Sequence, residues 1–106
     1  VITTTSDFIH GKKVMETLGI VRGSSIRAVH LGHDIAAKFR NMIGGEITDY
    51  TKMMAESREQ AMDRMEQQAK ELGGNAVITV RFSTSSMMQG AAEFLVYGTA
   101  VIVEDE

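Results

Sequence analysis

Cysteine is absent from this 106-residue sequence. That excludes disulfides, thiolate zinc sites, iron–sulfur clusters and a cysteine nucleophile, and it fits a reducing, cytoplasmic setting. Proline is absent as well, and no low-complexity linker or internal repeat breaks the chain, so a single domain over residues 1–106 is expected. No stretch approaches the ~20 consecutive apolar residues that a membrane-spanning helix needs. Residues 1–10 hold no apolar run behind a basic start, so no export signal is predicted. A basic excess is also missing: 11 basic residues face 14 acidic ones, a net charge of −3, which leaves no electrostatic footprint for nucleic acid. What is present is 43% hydrophobic and 24% charged residues, the balance of a folded domain rather than a disordered one.

Residues 2–5 are short and β-branched and predict a strand. A turn around Gly11 leads into a second strand over residues 14–22, expected to pair with the first as a hairpin. The Gly23-Ser24-Ser25 run predicts a bulge or bend, with strand continuing over residues 26–31. Asp34 is placed to cap a short helix whose buried face is Ile35, Phe39, Met42 and Ile43, ended by Gly44-Gly45. A longer helix is predicted over residues 50–72, with Met54, Ala61, Met65, Ala69 and Leu72 as its apolar stripe and Gly73-Gly74 as its stop. Residues 76–82 alternate, with Ala76, Ile78, Val80 and Phe82 on one face. Residues 83–90 read as a polar loop, and residues 92–103 as a long final strand. Both faces of that last strand are apolar: Phe94, Val96, Ala100 and Ile102 on one, Leu95, Tyr97, Val101 and Val103 on the other. Two helices cannot cover both sides of a sheet in so short a chain, so the second face is expected to meet another subunit.

Few residues offer chemistry. His30-x-x-His33 has a spacing that can chelate a divalent transition metal, with Asp34 adjacent. The plainer alternative is two exposed loop histidines beside a capping aspartate. The chain holds eight methionines; Met54, Met62 and Met65 read as core filling, whereas Met87-Met88 falls in the predicted loop as a soft-metal or partner contact. Arg58 projects between Met54, Ala61 and Met65 on the helical wheel. A guanidinium there needs a carboxylate such as Glu46 or Glu93, a path to solvent, or a bound anion, which makes Arg58 a candidate ligand-binding residue. Glu46 and Asp49 flank Ile47-Thr48 as an ordinary pair of loop carboxylates. No nucleophile–base pair and no G-x-S-x-G, H-E-x-x-H or phosphate-binding loop is present, so no enzyme is predicted.

The whole pattern resembles the YbjQ-like family of small bacterial and archaeal proteins, labelled as heavy-metal-binding. The resemblance rests on Thr3-Thr4-Thr5, Gly19-Ile20-Val21, Arg40-Asn41-Met42-Ile43-Gly44-Gly45, Tyr50, Arg58 with Ala61, and Ala69. Leu72-Gly73-Gly74-Asn75-Ala76-Val77 and Gly98-Thr99-Ala100-Val101 complete it. Gly74 departs from the family pattern, where alanine is more frequent. The resemblance implies an α+β fold, a mainly antiparallel sheet with two helices packed on one face in the order β-β-α-α-β-β. It also implies a ring-shaped homo-oligomer, a pentamer. It carries no agreed ligand set. Two functions follow as expectations: a cytoplasmic homo-oligomeric binding module for a heavy-metal ion or small ligand, or a structural protein whose assembly presents a partner surface without metal chemistry.

Overall fold

The computed structural model describes residues 1–28, 48–88 and 91–106. Its elements are β1 (Ile2–Thr3), β2 (Lys12–Ala28), α1 (Thr48–Glu71), β3 (Ala76–Met88) and β4 (Ala91–Asp105). The strands form one sheet in the order β1-β3-β4-β2. β4 is antiparallel to both β2 and β3, while β1 runs parallel to β3.

This corrects the expected β-β-α-α-β-β order and its two helices. Among the described residues the order is β-β-α-β-β, with one helix and a mixed sheet. The helix expected over residues 34–43 lies outside the described residues. The expected β1–β2 hairpin is also overturned. β2 pairs with β4 from Lys12↔Asp105 to Ala28↔Ala91, a ladder that a two-residue strand cannot match. β1 instead lies beside β3, its amides donating from Ile2 to Asn75 O (3.1 Å) and from Thr4 to Val77 O (3.0 Å).

Two strand readings change as well. β2 passes through Gly23, Ser24 and Ser25 in regular register, and its irregularities fall between Val14 and Glu16 and between Thr17 and Gly19. β3 continues through the predicted loop to Met88, because ladder pairing uses backbone groups and does not require apolar side chains. Thr79 carries φ 56° and forms a bulge between Ile78 and Arg81. The extra residue breaks the expected alternation. Val77 and Val80 are therefore buried together, while Phe82 is half exposed.

α1 forms because its residues are mostly strong helix formers, without glycine or proline inside. It stops in a Schellman arrangement. The Gly73 amide donates to Lys70 O and the Gly74 amide to Ala69 O, both 2.9 Å, with Gly73 at φ 89°. Its buried ridge is Ser57, Ala61, Met65 and Ala69, four residues apart. This ridge packs on Val21, Val77, Val80, Phe94, Val96 and Ala100. The far end of the opposite sheet face is closed separately, by Ile9 against Ala76, Val101 and Val103.

α1 also guards the outer edge of β2. Gln68 Oε1 accepts the Arg22 amide at 2.7 Å, and Arg64 Nη1 donates to Ser24 O. These side chains occupy backbone groups that would otherwise invite another strand. At the sheet's far end, Lys12 pairs with the exposed Asp105. The hydrogen bond and charge of Lys12 hold the Asp105 carboxyl below its ordinary value of 3.8. A lowered carboxyl pKa stabilises the fold above the unfolded value, and the contribution is lost as pH falls through the folded one. An NMR titration of the Asp105 carboxyl should therefore give a midpoint below 3.8, and Lys12→Ala should raise it. High salt should shrink the difference, since the pair is exposed.

Candidate functional site

The described part of the chain gathers polar chemistry at one place, where the end of β2 passes under the first turns of α1. Strand alternation puts Val21, Gly23, Ser25 and Arg27 on the helix side of β2. Arg27 Nε donates to Ser57 Oγ at 2.8 Å, and its Nη2 approaches Gln60 Oε1 at 3.3 Å. Ser25 Oγ donates to the same Gln60 oxygen at 2.9 Å. Ser57 Oγ in turn donates to Met53 O at 2.9 Å. Ser25 and Ser57 are fully buried, so these bonds satisfy groups that would be costly to leave unpaired. Beside the network lies an open hollow of about 600 Å³, bordered by Arg27, Lys52, Glu56, Glu59, Gln60 and Asp63. Sequence reading missed Arg27, Ser25, Ser57 and Gln60. The available signal was the two-residue spacing from Val21 to Arg27, which the Gly-Ser-Ser run disguised as a bend.

The predicted residues fare differently. Arg58 is exposed and, among the described residues, makes no ion pair. The buried Ser57–Ala69 row winds about 40° per step, so at the level of Arg58 the sheet lies under Ser57 and Arg58 is turned about 100° away from it. Arg58→Ala should therefore cost less than about 1 kcal/mol in a denaturant melt. A loss of several kcal/mol would mean that it is buried in the functional assembly. His30, His33 and Glu46 lie outside the described residues. Among the described residues no three His, Asp or Glu side chains come together as a metal cluster. Met87-Met88 belong to the backbone of β3 rather than to a loop.

The second notable feature is the sheet face opposite α1. Ile20 is 77% exposed, Ile26 58% and Tyr97 41%. Among the described residues, Ile9 covers the far end of that face. No helix among the described residues is long and apolar enough to cross a membrane.

Residues 1–104 match the YbjQ family model, described as "Putative heavy-metal-binding". An UPF0145 protein of Clostridioides difficile is 51% identical over 105 residues, covering 99% of this chain and 94% of that protein. An UPF0145 protein of Thermococcus kodakarensis is 50% identical over 106 residues, covering 100% and 94%. Among solved structures, a DUF74-family protein of unknown function from Pediococcus pentosaceus superposes with a TM-score of 0.64 at 18% identity, covering 98% of each chain. That likeness concerns the fold alone.

Proposed function

Because the chain belongs to the YbjQ family, we propose that it works as a cytoplasmic homo-oligomeric binding module for a heavy-metal ion or a small ligand. The observation that supports assembly is the open sheet face, where Ile20, Ile26 and Tyr97 stand in solvent. Scattered apolar side chains are ordinary on a surface, but three on one face of one sheet mark a contact surface. A pentamer is the assembly the family resemblance implies. The absence of a nucleophile–base pair in the sequence favours binding over catalysis.

His30 and His33 are the proposed metal ligands. Neutral imidazole binds borderline ions such as Zn²⁺, Ni²⁺ and Cu²⁺, so affinity should fall as pH drops below about 6.5. Calorimetric titration with Zn²⁺ should show binding to the wild type and its loss in His30→Ala/His33→Ala. Equal affinities would move the site elsewhere. An exposed Arg58 remains available to an anionic ligand, and Arg58→Ala should then lose retained ligand mass without losing stability. Native mass spectrometry reads subunit count and retained mass together. An oligomer that keeps no mass and binds no added metal would favour the second reading, an assembly whose surface is itself the working part.

A further inference from the structure

The open sheet face has a regular grid of residues fixed by strand register. Across β3, β4 and β2, one row reads Arg81, Tyr97, Arg22; the next Ser83, Leu95, Ser24; the next Ser85, Glu93, Ile26. The positively charged row and the row holding the carboxylate lie on either side of the Leu95 row. Among the described residues Arg22, Arg81 and Glu93 make no ion pair. Arg81 Nη1 is held by Thr5 O at 2.9 Å and Val80 O at 2.8 Å. Among the described residues the Arg22 guanidinium has no such acceptor, and its own backbone amide donates to Gln68 Oε1.

We infer that this face docks against the same face of a second copy, across a twofold axis that lies between the sheets and crosses the strands at Leu95. The inference rests on the proposed homo-oligomeric reading and specifies one of its contacts. Two sheets can meet face to face with their strands either parallel or antiparallel. A twofold along the strands sets each row on itself and exchanges the outer strands, so that Arg22 faces the second copy's Arg81. A twofold across the strands at Leu95 exchanges the rows on either side. Glu93 then stands over the partner copy's Tyr97 row, within the span of its two guanidiniums, and Leu95 meets Leu95. Charge therefore selects the antiparallel arrangement, because like charges juxtaposed across an interface are strongly unfavourable. The usual offset of roughly 30° between aligned sheets preserves this order of rows.

The patch is small. Three strands about 4.8 Å apart and three rows about 6.8 Å apart give roughly 20 by 14 Å, smaller than a specific interface that holds alone. It is therefore one contact of an assembly, and its strength depends on concentration. A twofold contact also favours even subunit numbers, so pentamers built on other contacts would join through it as decamers.

The native absence of cysteine provides a direct test. Leu95→Cys places two thiols at the axis across the roughly 10 Å between the sheets, too far for a disulfide but within reach of a short bismaleimide, which should give a covalent dimer on a denaturing gel. Ile20→Cys lies two rows away, which separates the two thiols by roughly 27 Å, far beyond that reach, and should not cross-link. Glu93→Arg should raise the concentration needed for association by about tenfold or more, and Arg22→Glu in the same chain should recover most of that loss. A wild-type protein that stays monomeric overturns both this contact and the oligomeric reading. A protein that is oligomeric but does not cross-link through Leu95→Cys overturns this contact alone.

Discussion

Gly23→Ala is expected to destabilise the protein by at least about 3 kcal/mol, at the upper end of overpacking costs. Gly23 lies on β2 directly beneath α1. A Cβ there would fall well inside contact distance of Ala61 O, 2.5 Å from Met65 N and 3.0 Å from Arg64 Cβ. Two of those three atoms are helix backbone and cannot rotate away. The helix must lift, and lifting it separates Ala61 and Met65 from Val21 and Val96. Gly74→Ala is the matched control. Its Cβ would meet Ala69 O and Leu18 Cδ1 at 3.2 Å and Val101 O at 3.3 Å, tight but open to adjustment. Its φ is not in the left-handed region. The control should stay within about 1 kcal/mol of wild type, helped by the smaller entropy of its unfolded chain. Urea melts of both variants check the pair. Similar losses for the two would remove the steric account of Gly23.

Met65→Ala is expected to cost about 3 kcal/mol, within the range for large-to-small core changes. Met65 is fully buried in the main cluster, beside Val21 and Val96. Its removal leaves a void between α1 and the sheet that backbone relaxation fills only in part. Met65→Leu keeps most of the volume and should lose less than about 1.5 kcal/mol. Met62, only partly buried against the same cluster, should lose less on truncation than Met65. Thermal and urea denaturation of the three variants give the ranking directly. A Met65→Ala variant as stable as wild type would show that α1 is not held by this ridge.

The long helix and its stop were legible because both signals are local: a four-residue apolar spacing and a glycine pair at the end. The length of β3 was not legible from composition. Its polar half looks like a loop, and only the partner residues of β4 make it a strand. The β1 pairing was hidden for a related reason. Proximity in sequence favoured a hairpin with β2, whereas the amides of Ile2 and Thr4 find carbonyls more than seventy residues away, at Asn75 and Val77. Thr79 shifted the face of every later residue of β3, and nothing in a run of alternating residues announces such a bulge.

The candidate sites divide in the same way. A helical wheel places Arg58 among apolar neighbours but collapses the winding of the four-residue ridge along the helix, and the structure leaves Arg58 in solvent. The Ser25–Gln60–Arg27–Ser57 network joins residues from β2 and α1 that no short motif links. The expectation that one sheet face would lack cover came from the two apolar sides of β4. Of the residues behind that expectation, Val101 and Val103 are buried against Ile9 and Tyr97 is exposed, and the other exposed apolar residues of that face are Ile20 and Ile26 of β2.

Sedimentation velocity of the wild-type protein across micromolar concentrations tests the central claim most directly. A chain that uses its open sheet face for self-association should sediment as an oligomer, and the boundary should shift toward smaller species on dilution or in Glu93→Arg. A single monomer boundary at every concentration, with no binding of a dye that reports exposed apolar surface, would contradict it.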